Sequence, residues 1–196
     1  MRKSIAIRGD GETEWFYFDS LRVACRYPFK LSPGFPQHAD IGHILKMAKA
    51  KLSEGYDYVV CLVDMDRLHE KPAEMKKYQS FKARKENRGI MFIETSPCTE
   101  FWFLLHFLPD NAVRRFQNYD QLIPELRRYM PGYEKTKRYF IKTKLYEYLR
   151  DNGNIERAKS NADKLSQMSK ASPKDRIAYS EIHKVINLLN ELSKIQ

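Results

Sequence analysis

The sequence predicts an α/β fold, a mostly parallel sheet flanked by helices with a helical carboxyl-terminal lobe. Three observations lead to it. After Tyr58 the run Val59-Val60-Cys61-Leu62-Val63 is apolar at every position, as a strand buried on both faces requires. Strand-like and helix-like segments alternate through the first half in the order β-α-(β)-α-β-α-β, the pattern of a parallel sheet. Beyond Pro109 strand-like runs become rare and apolar residues recur at helical spacing. The expected division is an α/β core over residues 1–108 and a helical lobe over 109–196 packed on that core.

Lys3 to Arg8 reads as the first strand, followed by the turn Gly9-Asp10-Gly11. Thr13 then caps a helix that turns Trp15, Phe16, Phe18, Leu21 and Cys25 to a core. The proline-rich connection from Pro28 to Pro36 overlaps a short strand near Tyr27 to Leu31. Ile41, Ile44, Leu45, Ala48 and Leu52 mark a helix that Gly55 ends. The strand Tyr56 to Val63 follows, then a charged helix around Ala73 to Glu86 and the strand Ile90 to Glu94. Ser96-Pro97 reads as an N-cap with proline at the first helical position, starting the helix through Phe101 to Phe107. In the second half Leu122, Leu126, Tyr129, then Tyr139, Leu145, Tyr148, Leu149, and finally Ile182, Val185, Ile186, Leu189 and Leu192 keep helical spacing. Ser166 to Lys174, rich in Ser and Lys with one Pro, reads as a mobile loop.

With 196 residues the chain can build one sizeable core, and 42% hydrophobic content with clustered apolar runs excludes disorder. Thirty-five Lys and Arg against 25 Asp and Glu give a formal charge of +10, which favours a polyanionic partner and makes nucleic acid the natural candidate. Cys25, Cys61 and Cys98 match neither a disulfide framework nor a zinc site, so a cytoplasmic protein is expected. The longest apolar run, Phe101 to Leu105, is far short of a membrane span, and Ile5-Ala6-Ile7 is too short for a signal peptide.

The acids carry the functional expectation. Asp64 and Asp66 end the apolar strand one residue apart, which on a strand puts them on one side at its carboxyl end, where open α/β sheets bind ligands. Asp10-Gly11-Glu12-Thr13-Glu14 places three more acids between a strand and a helix, where the helix dipole also favours them. If the first and third strands are neighbours, Asp10 or Glu14 lies beside Asp64 and Asp66. Glu94 and Glu100 flank the fourth strand's exit. An all-oxygen set without a His or Cys cluster selects Mg²⁺ or Mn²⁺, ions that act on phosphates. His106, alone on an apolar helix, reads as a core histidine.

Asp10-Gly11-Glu12-Thr13-Glu14, Asp64-Met65-Asp66 and the segment from Ser96-Pro97-Cys98-Thr99-Glu100 to Phe107 resemble the RloB-like family of bacterial proteins. Tyr133-Glu134-Lys135 and Tyr179-Ser180-Glu181-Ile182-His183-Lys184-Val185 extend the resemblance over nearly the whole chain. It implies a Toprim catalytic domain, the fold shared by topoisomerases, primases and the overcoming-lysogenisation-defect nucleases. It further implies a catalytic acid after the first strand, an Asp-x-Asp pair that binds Mg²⁺, and a place in phage defence or restriction, with a protein partner in such a system. The Toprim pattern has Glu-Gly after the first strand where this chain has Asp10-Gly11, leaving Asp10, Glu12 and Glu14 as alternatives. Glu14 is taken as catalytic, with Asp10, Asp64, Asp66 and Glu100 as metal ligands. His69 stands where the pattern has a glycine after Asp66.

Two basic segments complete the expectation. Lys76, Lys77, Arg84 and Lys85 lie in the charged helix and its end, and Arg127 and Arg128 precede Tyr129, Tyr133 and Tyr139, which are available for base stacking. Lys135, matching the family's Tyr-x-Lys element, is the candidate for stabilising transition-state charge. The expected activity is Mg²⁺- or Mn²⁺-dependent nuclease action on DNA or RNA. The alternative is a Toprim-like module that binds nucleic acid or an effector without catalysis.

Overall fold

β3 (Tyr58–Asp64) runs through the centre of a five-stranded sheet. Its side chains alternate between two separate apolar clusters, with Val60 and Leu62 in one and Val59, Cys61 and Val63 in the other. That alternation makes every residue of the run apolar, as expected for a strand covered on both faces. The computed structural model describes residues 3–9, 11–28, 30–33 and 40–194.

The sheet order is β2-β1-β3-β4-β5, with β1 at Ser4–Arg8, β2 at Lys30–Pro33, β4 at Ile90–Ser96 and β5 at Tyr179–Ser180. β1 pairs in parallel with β2 and β3, and β3 with β4; in the β1–β3 ladder Ile5 faces Tyr58 and Arg8 faces Cys61. The sheet is mixed rather than purely parallel, because β5 pairs antiparallel to β4 with Thr95 opposite Ser180. Two residues are too short to show a strand periodicity, so this edge strand is invisible in the sequence.

α1 (Glu12–Cys25) packs Phe16, Tyr17, Phe18 and Leu21 on one face of the sheet. α2 (Ile41–Ser53), α3 (Met65–Glu70) and α4 (Pro72–Lys82) cover the other through Ile44, Leu45, Leu68 and Tyr78. α5 (Glu100–Leu105) is buried all round. The first cluster continues through α6 (Tyr119–Tyr129), α7 (Lys137–Thr143), α8 (Leu145–Asn152), α9 (Ile155–Ala171) and α10 (Ile182–Lys194), so one core joins the first helix to the last.

Several boundaries differ from expectation. Gly11, not Thr13, occupies the N-cap of α1, and its amide donates to Glu14 Oε2 at 3.0 Å; Thr13 is buried inside the first turn. Ser96 belongs to β4, and α5 starts only at Glu100. Residues 166–171 form the end of α9 rather than a loop. There Ser166 is buried and donates from Oγ to Ser180 O at 3.2 Å. The buried stripe of α9 is Ala158, Asn161, Ala162, Leu165 and Ser166, in which Leu165 is the one large apolar side chain, so the apolar signal is weak.

Candidate active site

The chain leaves β1 for α1 on one face of the sheet and leaves β3 for α3 on the other. Between two such adjacent strands the departing chains part and leave a crevice at the carboxyl edge, the place where open α/β sheets hold ligands. A cavity of ≈ 590 Å³ opens here. The beginning of α1 contributes Gly11, Glu12 and Glu14, and the β3–α3 junction contributes Asp64, Asp66 and Arg67. Cys98, Tyr119 and Lys135 come from later segments.

Asp64 and Asp66 line the same cavity for a reason other than strand alternation. β3 ends at Asp64 and helical backbone begins at Met65, so Asp66 sits in the first turn of α3, with its amide donating to Pro97 O at 3.0 Å. Glu14 reaches in from α1. Gly9 provides the room: a Cβ there would lie 3.2 Å from Glu14 Cβ and Cγ. Asp10 lies outside the described residues.

Thr99 joins two of these acids. Its Oγ1 lies 2.7 Å from Glu14 Oε1 and 3.1 Å from Asp64 Oδ1. A hydroxyl carries one hydrogen and can donate to only one carboxylate, so the second needs a proton or a cation of its own. The Glu14 carboxyl is pushed above its ordinary range, first by burial and also by nearby Glu100, against the opposing Lys135 charge and the Thr99 hydrogen bond. Asp64 is pushed up strongly by burial and by Glu14, and Asp66 chiefly by burial.

Glu100 stands apart electrostatically. It is fully buried, and its Oε1 accepts from Tyr133 Oη at 3.0 Å and Thr13 Oγ1 at 3.3 Å, with Lys135 Nζ at 3.1 Å. Burial pushes its carboxyl up, but Lys135 and the surrounding hydrogen bonds bring it below the ordinary value. Partial burial opposes the Lys135 charge, yet Glu100, Asp64 and Glu14 together raise its pKa. Lys135 Nζ also lies 5.2 Å from the centre of the Tyr119 ring. Glu100 Oε2 is buried without a hydrogen-bond partner.

The donor chemistry fits a hard divalent cation: the carboxylates are oxygen-only, mutually repulsive and short of protons around Thr99. As placed, no group of three His, Cys, Asp or Glu among the described residues is close enough to hold a metal ion. Binding therefore requires rotation of the Glu14, Asp64 or Asp66 side chains, or a contribution from Asp10.

Other expected residues fall elsewhere. Glu94 is held away from the acid cavity by Tyr78 Oη at 2.7 Å, Lys82 Nζ at 2.6 Å and Tyr179 Oη at 3.2 Å. Lys76 and Lys77 lie on α4, Arg84 and Lys85 just beyond it, and Arg127 and Arg128 in the last turn of α6; none lines the cavity. Arg127 Nε donates to Tyr133 O at 3.0 Å. Tyr133 is fully buried and therefore supports Glu100 instead of stacking on bases. Thr99 and Tyr119 were missed by sequence reasoning. Thr99 sits beside Glu100 in the Ser-Pro-Cys-Thr-Glu segment, which is a signal of sorts, whereas nothing local marks Tyr119.

No curated protein and no solved structure gave a match in the comparisons made with this chain. The family model described as RloB-like protein matches residues 5–189, a span that includes Glu14, Asp64, Asp66, Glu100 and Lys135. With the match covering nearly its full length, the chain belongs to the RloB-like protein family.

Proposed function

We propose that this protein is a Mg²⁺- or Mn²⁺-dependent nuclease that hydrolyses phosphodiesters of DNA or RNA by Toprim-like catalysis. The observation that carries the reading is the meeting of Glu14, Asp64 and Asp66 in one cavity at the carboxyl edge of the sheet. Asp64 and Asp66 would hold the cation, with Asp10 in support; Glu100, expected as a further ligand, is fully buried outside the lining of the cavity and would act on it through Lys135. When bound, the ion supplies an activated water and charge for the leaving oxygen. Glu14, whose carboxyl burial raises above its ordinary value, takes the proton of the attacking water. Lys135 adds positive charge beside the developing phosphorane, and Glu100, with Tyr119, keeps its ammonium in position. The formal charge of +10 favours a polyanionic substrate. Phage defence or restriction, with a protein partner, is the setting that the family resemblance implies.

A second reading, nucleic-acid or effector binding without catalysis, is favoured by the absence of a ready three-ligand group among the described residues. One assay separates them. Purified protein is incubated with labelled single- and double-stranded DNA and RNA in Mg²⁺ or Mn²⁺, beside Asp64→Asn with Asp66→Asn. Cutting that the double variant loses is the expected result; binding without cutting supports the second reading, and cutting that survives the substitutions overturns the first.

A further inference from the structure

The acids of the candidate site share a cation that the chain itself provides. Lys135 lines the cavity with Glu14, Asp64 and Asp66, and its Nζ lies 3.1 Å from Oε1 of the buried Glu100. The backbone on either side is fixed. Tyr133 is fully buried with Oη donating to Glu100 Oε1 at 3.0 Å, and Thr136 caps α7 by accepting from the Tyr139 amide at 3.2 Å. The ammonium also has the Tyr119 ring centre at 5.2 Å, and its partly exposed side chain leaves it facing whatever enters the cavity.

Burial pushes the carboxyls of Glu14, Asp64 and Asp66 up, and the Lys135 charge draws all three back down. A divalent ion therefore meets carboxylates that are already partly compensated, and the ammonium repels it at an effective dielectric below that of water. A phosphate meets the opposite obstacle. Glu12 and Asp40 line the cavity as well, so among the described residues five acids stand against two cations, Lys135 and Arg67. A phosphate that meets Lys135 cancels the charge that repels the ion, and the ion cancels the acids that repel the phosphate. Each binding event then strengthens the other by the same factor.

We propose that Lys135 makes divalent-cation binding depend on substrate: its ammonium is the counter-charge of the empty cavity and holds metal affinity low until a phosphate of the nucleic acid takes up that charge. The position of the phosphate rests on the nuclease reading, which this coupling deepens. Free protein then carries little metal, and the loaded cavity forms on the substrate.

The test reads Mn²⁺ binding rather than cutting, on the full chain, by the loss of the electron-spin-resonance signal of the free ion. Titrations are run with Mn²⁺ alone and with a nucleoside 5′-monophosphate, which offers a phosphate and no diester to cut, after correction for Mn²⁺ held by the nucleotide itself. The parent should bind Mn²⁺ about tenfold more tightly with the monophosphate than without it. Lys135→Met should bind Mn²⁺ alone about tenfold more tightly than the parent and gain little from the monophosphate. Lys135→Arg keeps the charge and should stay close to the parent. Lys135→Met with Glu100→Gln removes the buried pair together, and it should show the same tightening where the single variant is too unstable to titrate. Mn²⁺ affinity that is unchanged or weaker in both proteins lacking the lysine overturns the coupling and leaves the nuclease reading to its own assay. So does a parent whose affinity ignores the monophosphate. No Mn²⁺ binding by any of these proteins in either condition, together with no cutting of nucleic acid, overturns both.

Discussion

Lys135 Nζ lies 3.1 Å from Glu100 Oε1, an ion pair between a fully buried carboxylate and a lysine that is 43% exposed. It ties the segment between α6 and α7 to the first turn of α5, and so holds the second half of the chain against the carboxyl edge of the sheet. It also bears on the acids of the cavity, because the Lys135 charge opposes the raised pKa values of Glu14, Asp64 and Asp66.

Lys135→Met should leave Glu100 buried without its counter-charge. Breaking a fully buried pair costs about 3–5 kcal/mol, and the exposure of Lys135 reduces the expected loss to about 1–3 kcal/mol. Urea unfolding checks this, and adding Glu100→Gln should recover part of the loss. Equal and additive losses from the two substitutions would show that the pair does not act as a unit.

Mg²⁺ or Mn²⁺ should raise the melting temperature. At a hundred times the dissociation constant the gain is about 2.7 kcal/mol, or about 5–10 °C for a chain of this size. Asp64→Asn should abolish the shift. A shift of the same size in the variant would place the ion elsewhere.

Stability should fall between neutral and mildly acid pH because of His106. Its Nδ1 lies 2.9 Å from Trp102 O, a contact that requires this nitrogen to carry the proton of a neutral ring. Burial lowers its pKa from 6.5 to about 4. The unfolded chain therefore takes up a proton that the folded one refuses, and stability is lost as pH falls from 6.5 toward 4, by about 3 kcal/mol at most. His106→Gln should lose less stability than the parent between pH 7 and pH 4.5. Parallel curves for the two proteins would contradict it.

Gly153→Ala should destabilise the protein by about 1–3 kcal/mol, since the new Cβ would lie 2.7 Å from His106 Cβ and 2.8 Å from Leu149 O. One of those atoms is backbone and cannot move aside cheaply. Thermal melts of the variant test it, and an unchanged melting temperature would mean that the junction of α8 and α9 relaxes freely.

The sequence by itself determined the elements whose burial is periodic or continuous. The apolar run of β3, the stripes of α1, α2 and α10, and the placement of acids at strand ends are local patterns, and burial writes them directly into residue order. Only the tertiary structure decided which acids meet. Glu94 and Glu100 are six residues apart, yet Glu94 binds Tyr78, Lys82 and Tyr179 while Glu100 binds Lys135, because β4 and α5 send them in different directions. The same holds for Tyr133, whose sequence context is that of an exposed aromatic among cations but whose hydroxyl is spent on Glu100 in the core. β5 and α9 escaped notice since two residues, or a stripe with one large apolar side chain, bury too little to leave a pattern. Convergence of Glu14, Asp64 and Thr99 depends on strand order and register, and these are set by contacts between residues far apart in the chain.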